Sequence, residues 1–253
     1  MPNNPALFIH VTADDLTLAR RFDSELQTHR QPFNRRVSFT LNLREALAAA
    51  PASLVADVPQ AEVYVATPVS VVPLSEFAET DAEAIHRATF RSEERSRLMT
   101  DVLPAAQIVL VYEVAENIVR AIEEAFPKTN YHNALSPIVP RTPLSASAQA
   151  VVRVYVHENT TDALVYQGSK FIALNSFQTR HADDASFFVL GMTQALGYEA
   201  SDIQAVVVGD ERRRIATERS LSQFVATQTE ELSPHFASIP YSLAVAMMFQ
   251  PTR

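Results

Sequence analysis

The strongest constraint in this chain is that its β-rich patterns come twice. Ala6–Val11 and Leu16–Phe22 are apolar runs around the polar turn Thr12-Ala13-Asp14-Asp15 and read as a hairpin. Val151–Val156 and Ala163–Tyr166 do the same around His157–Asp162. Phe8 precedes Val63, in the next buried strand pattern Glu62–Thr67, by 55 residues; Val152 precedes Val206, in Ala205–Gly209, by 54. Each half reads strand, strand, strand, helix, strand, helix. A repeat on this scale predicts two lobes of like topology.

The intervening segments fill in the plan. In the first half, Arg36–Leu41 (RVSFTL) alternates and predicts the third strand, and Leu43–Ala50 predicts a helix stopped by Pro51. Pro73–Glu79 predicts a helix start, and Thr80–Thr100 a polar helix or excursion. Gln107–Val114 is strongly β. Glu116–Phe126 carries Ile118, Val119, Ile122, Ala125 and Phe126 on one helical face, closed by Pro127. In the second half, Lys170–Leu174 predicts the third strand, Asp183–Leu196 a helix ended by Gly197, and Ile215–Val225 another helix. The proline-bearing stretch Ser136–Ala150 predicts the joint, with lobes at 1–143 and 144–253. The apolar C-terminus IPYSLAVAMMFQPTR reads as core packing or as a self-association surface.

Composition removes whole chemistries. With no cysteine there is no disulfide, thiolate nucleophile or Cys-based metal site. Four glycines and two lysines in 253 residues leave no window for a Walker loop or a G-x-G-x-x-G fingerprint. The net charge of −8 argues against a nucleic-acid coat. The seven histidines show no metal-ligand spacing on a helix. No signal-like leader and no membrane-length apolar run is visible, so the expected location is the cytoplasm, with no membrane partner. Glu93-Glu94 and Glu123-Glu124 are helix neighbours that point to different faces, which a glycosidase pair cannot use.

Three phrases carry a resemblance: VVPLSEF (71–77), VLVYEVAENIVRAIEEAFP (109–127) and FIALNSFQTRHADDASFFVL (171–190). Together with the doubled strand order, they resemble an uncharacterised family seen mainly in Bacteroidetes, a domain of unknown function with an actin-like ATPase fold. The resemblance covers nearly the whole chain. It implies an α/β, ribonuclease H-like architecture: two similar lobes, each a mixed five-stranded sheet flanked by helices. It assigns no activity and no catalytic residues.

Proteins of that fold hold phosphates between two glycine-bearing hairpin turns, one per lobe. Here the turns are Thr12-Ala13-Asp14-Asp15 and Glu158-Asn159-Thr160-Thr161, and neither contains glycine. Glycine lets backbone N–H groups reach a phosphate closely. The adenosine-side position reads Val208-Gly209-Asp210-Glu211-Arg212-Arg213-Arg214 and keeps one glycine. Two readings of its arginines stand: a clamp for phosphate or carboxylate, or a solvated helix start in which Glu211, Glu218, Arg212 and Arg219 pair across the surface. His181 with Asp183 and Asp184 reads as helix capping rather than a metal or acid–base cluster. Tyr131-His132-Asn133 reads as a loop or the start of a strand.

The leading expectation is a non-catalytic actin-like protein that binds an unknown protein partner or itself, without cofactor. The alternative is a divergent ATPase or phosphotransferase in the interlobe cleft, with ATP and Mg²⁺ held by Asp14, Thr160, Thr161 and Gly209. A third is a small-ligand sensor in the same cleft without turnover.

Overall fold

The structure, a computed structural model, describes residues 6–22, 25–91, 95–141, 149–157, 159–230 and 232–249. Glu158, Glu93-Glu94, positions 142–148 of the expected joint and 250–253 lie outside the described residues. In chain order the elements are β1 (Leu7–Val11), β2 (Asp15–Phe22), β3 (Glu25–Pro32), α1 (Phe39–Ala48), α2 (Ala52–Val55), β4 (Ala61–Val65) and β5 (Val69–Pro73). Next come α3 (Ala82–Thr89), β6 (Ser96–Leu103), β7 (Ile108–Ala115), α4 (Glu116–Ala125) and β8 (Thr129–Asn133). The rest are β9 (Ala150–His157), β10 (Thr160–Gln167), β11 (Lys170–Gln178), α5 (Ala182–Ala195), β12 (Ile203–Gly209), α6 (Glu211–Leu221), β13 (Ala226–Thr229) and α7 (Tyr241–Phe249). No helix among the described residues is long and apolar enough to cross a membrane.

The chain divides into two compact units, residues 1–138 with 234–253, and residues 139–233. The first holds a five-stranded sheet of order β3-β2-β1-β4-β8; the second holds one of order β11-β10-β9-β12-β13. In each, the two hairpin pairs are antiparallel and the last two pairings parallel. Registers match as well: Phe8 lies opposite Glu62, one residue from Val63, and Val152 lies opposite Ala205, one residue from Val206. The spacing that doubled in the sequence is therefore the spacing that brings strand four beside strand one. β1 and β4 are buried along their whole lengths, and the second unit's core is built on Val152, Val154, Val165, Val189 and Val207. Parallel strands covered on both faces read as such continuous apolar runs.

The structure departs from the sequence expectation at several places. Arg36–Leu41 is not the third strand. Ser38 caps α1, accepting from the Leu41 N–H at 3.4 Å. Asn42 ties the preceding turn: its side-chain amide donates to the carbonyls of Asn34, Val37 and Ser38, and its side-chain oxygen accepts from the Asn34 N–H at 2.7 Å. The third strand is β3, ELQTHRQP, an edge strand with no buried residue and so no apolar alternation to read. Pro73 ends strand β5, and two short 3-10 turns, Leu74–Glu76 and Glu79–Asp81, follow it before α3. β5, β7 and β6 form a third sheet in the first unit, with α3 against it around Val72, Ala82, Val109 and Val111. The compact units divide after Ile138, and α7 belongs to the first unit, where it packs against β1. An all-apolar helix states only that it is buried; its own sequence does not say against which sheet.

Candidate functional site

In the first unit, the β1–β2 turn is closed by its own side chains. Thr12 Oγ1 accepts from the N–H groups of Asp14 (3.1 Å) and Asp15 (3.0 Å), and the Thr12 N–H donates to the Asp15 carbonyl (3.0 Å). A hydroxyl bonded to backbone one turn on is the side-chain substitute for a tight turn. Asp14 accepts from Arg35 Nε and Nη2 at 3.2 and 3.0 Å. Asp15, almost fully buried, accepts from both Nε and Nη2 of Arg30. The two turn amides that would face a phosphate are thus occupied, and each carboxylate that would hold a metal has an arginine.

In the second unit the corresponding turn is locked from outside. The Arg213 guanidinium donates to the carbonyls of His157 (3.3 Å) and Thr179 (3.1 Å) and to Thr179 Oγ1 (2.9 Å). Burial pushes the pKa of this group down, the nearby Asp210 and Asp184 charges opposing it. Of the arginine triplet, Arg213 is therefore the member that turns inward; Arg214 pairs with Glu218 at 3.7 Å. Thr161 is fully buried, its hydroxyl 2.8 Å from that of Thr179. Thr160 lies beside it with its hydroxyl 3.5 Å from Gln178 Nε2. His157 Nε2 lies 2.7 Å from Asp162, which also accepts from Ser176.

Gly209 ends β12 at φ 118°, and a Cβ there would stand 2.0 Å from the Val156 carbonyl oxygen. That oxygen accepts the Asp210 N–H at 2.9 Å, and Asp210 in turn caps α6 by accepting from the Arg213 N–H at 3.2 Å. The glycine is required by the approach of β12 to β9, whatever else it does. His181-Ala182-Asp183-Asp184 is a helix start. Asp184 accepts from the N–H groups of His181 and Arg180, which hold its carboxyl below the usual range, and Asp183 accepts from Ser220.

Tested against ATP with Mg²⁺, these residues do not fit the group. The amides of Asp14 and Asp15, the carboxylates of the same two residues, the Thr161 hydroxyl and the space at Gly209 already have partners or occupants within the protein.

One cluster escaped sequence reading. His132, on β8, reaches Glu62 on β4 (Nε2 to Oε2, 3.0 Å) and Asp101 on β6 (Nδ1 to Oδ1, 3.4 Å). Asp101 also accepts from the Asn133 N–H, Ser136 and Tyr112. Burial opposes charge on His132, but hydrogen bonds with Asp101 and Glu62, and their charges, push its pKa up to about 9. Burial and the same two carboxylates push the Tyr64 hydroxyl's pKa up. The three charged groups come from positions 62, 101 and 132, so no local motif announces them. Among the described residues, no group of three or more acidic or histidine side chains is arranged to hold a metal ion.

A solved protein from Bacteroides thetaiotaomicron, with an actin-like ATPase fold and unknown function, matches at a TM-score of 0.79 and 15% identity, over 90% of this chain and 91% of that one. The PilM–PilN type IV pilus biogenesis complex matches at 0.63 and 13%, over 98% and 99%. The ethanolamine utilization protein EutJ from Carboxydothermus hydrogenoformans matches at 0.51 and 12%, over 97% and 90%. At such identities the likeness is one of fold. No curated protein matches the sequence. The family model described as Protein of unknown function (DUF3822) matches residues 44–227. With more than half of its length matched and the actin-like two-sheet plan in place, the chain belongs to the DUF3822 family.

Proposed function

We propose that this protein is a non-catalytic actin-like module that acts by binding a protein partner, a second copy of itself included. One observation carries the reading: donors that an actin-like ATPase would direct at phosphate, two amides in the first hairpin turn and the Thr161 hydroxyl in the second, are bonded within the protein. Thr12 occupies the amides of Asp14 and Asp15, and Thr179 pairs with the Thr161 hydroxyl. A site whose donors are already satisfied must break those bonds to take a ligand, which costs affinity.

Two further observations support the binding half. One of the structures of similar fold is that of a complex, PilM–PilN. On α5, Phe187 is 72% exposed, edge-on to Phe188, which stacks on Phe177 of β11 with centroids 4.8 Å apart. Phe188 and Phe177 are half-buried, so the exposed Phe187 ring stands on an aromatic base, and aromatic residues are enriched at interaction surfaces.

The reading predicts no phosphate release from ATP with Mg²⁺ above the buffer rate. Turnover that disappears in Asp14→Ala, with the variant still folded, would overturn it in favour of the divergent ATPase or phosphotransferase.

A further inference from the structure

β6 is an edge of the third sheet, paired with β7 on one side only. Alternate residues of such a strand direct both N–H and C=O away from the ladder. Among the described residues, no backbone group of residues 97–102 bonds outside the β6–β7 pairing. An open row of donors and acceptors is a template for another strand, and proteins guard such rows with proline, lysine, bulges or charge.

Among the described strands, the other sheet edges are guarded or short. β3 ends in Pro32 and carries Glu25 and Arg30, and β5 ends in Pro73. β11 begins with Lys170 and shifts register against β10. β13 has four residues. β8, with five, is covered: the Asn133 N–H donates to Asp101 and the Tyr131 carbonyl accepts from Tyr112. β6 has eight residues, no proline or lysine, and a continuous register with β7. Its two charges are turned into the protein, Arg97 onto Glu116 and Glu123, and Asp101 onto Asn133, Ser136 and Tyr112. Thr100 is exposed, and Val102 is 52% exposed.

Length and charge define the occupant. At about 3.3 Å per residue, and across the ~10 Å depth of a sheet, the strand offers a strip of about 260 Å². A second copy paired rigidly along it buries about 500 Å² in all, under half of the roughly 1,200 Å² at which stable pairs begin. An extended peptide needs no such area, because main-chain bonds hold it and its binding is transient. Leu98, Thr100 and Val102 share one face of β6, where β-branched side chains of an added strand pack beside them. Arg95 stands just before the strand, exposed and without an ion pair among the described residues, its backbone fixed where the carbonyl accepts from the Glu116 N–H. In antiparallel addition, the pairing used throughout this sheet, the incoming C-terminal end lies beside Arg95.

We propose that the β6 edge binds an extended, β-branched segment of a partner protein in antiparallel pairing, with acidic residues at the segment's C-terminal end beside Arg95. This names the partner class within the module reading and rests on it; ATP turnover tests that reading separately, and the titration below tests the β6 edge.

The probe is the acetylated peptide Ser-Val-Thr-Val-Thr-Val-Asp-Asp, titrated into the full chain and followed by amide NMR, alongside the same peptide N-methylated on one or the other alternate set of residues. Saturable shifts centred on β6 are expected. One methylated peptide should lose at least about tenfold in affinity and the other change by no more than about twofold, since only alternate N–H groups of an added strand face the edge. Arg95→Glu, at an exposed position, should weaken the peptide by about threefold, the scale of an exposed ion pair. No saturable binding at millimolar peptide, equal tolerance of both methylated sets, or shifts away from β6 would each overturn the proposal. Tighter binding of a peptide with its aspartates at the N-terminal end would overturn the antiparallel placement. A dimer in sedimentation that Val102→Arg dissolves would overturn the choice of occupant and assign the edge to a second copy.

Discussion

At the scale of single residues, two positions carry most of the consequence. Gly209 was singled out in the sequence as the remnant of a nucleotide loop, and the structure supplies a different need for it. Its φ of 118° and the 2.0 Å separation of a notional Cβ from the Val156 oxygen leave no room for a side chain. Gly209→Ala is therefore expected to destabilise the protein by at least about 2 kcal/mol, combining backbone strain with overpacking; urea unfolding measures it, and a wild-type midpoint would contradict the packing described. His132 sets a pH dependence. Its folded pKa of about 9 lies above the 6.5 of an unperturbed imidazole, so the folded state binds the proton more tightly. The resulting stability is complete below pH 6.5 and is lost as pH rises from 6.5 to 9. Glu62, Asp101 and the tyrosines Tyr64 and Tyr112 are the titratable groups facing it. Allowing for solvent at its partly open edge, the loss is on the order of 2 kcal/mol. Unfolding free energies measured across that range should fall, and His132→Gln should flatten the slope; a slope unchanged by the substitution contradicts the assignment.

At the scale of elements, what could be read followed burial. β1, β4, β7, β9 and β12 are buried apolar runs and were legible, and α4 and α5 showed a periodic face or clear end signals. β3 was not, because an edge strand with no buried residue has no reason to alternate. RVSFTL alternated for another reason: Ser38, between Val37 and Phe39, is the cap that starts α1. Asn42 is 6% exposed and bonds to four backbone groups. Asn42→Ala should cost about 2–3 kcal/mol, since it leaves buried backbone groups unsatisfied at the start of α1; thermal denaturation followed by circular dichroism reads the loss. The candidate site was legible only as positions. That Asp14, Thr160, Thr161 and Gly209 lie at hairpin ends followed from strand order. That Arg35 takes the Asp14 carboxylate, Thr179 the Thr161 hydroxyl and the Val156 backbone the space at Gly209 depends on contacts between residues 18 or more apart.

At the scale of the whole molecule, the doubled spacing in the sequence became two five-stranded sheets of identical strand order, and the actin-like plan rests on it. The third sheet, β5-β7-β6, breaks the symmetry between the halves, and α7 returns the end of the chain to the first unit. Neither was visible in the repeat, because an insertion and a returning helix change connectivity without changing local pattern. The proposed function requires that this actin-like fold bind no nucleotide. Calorimetric titration with ATP and ADP, with and without Mg²⁺, tests it directly. The predicted result is no saturable heat and no rise in unfolding temperature at millimolar nucleotide. Micromolar binding that weakens in Asp14→Ala or Thr160→Ala would contradict it.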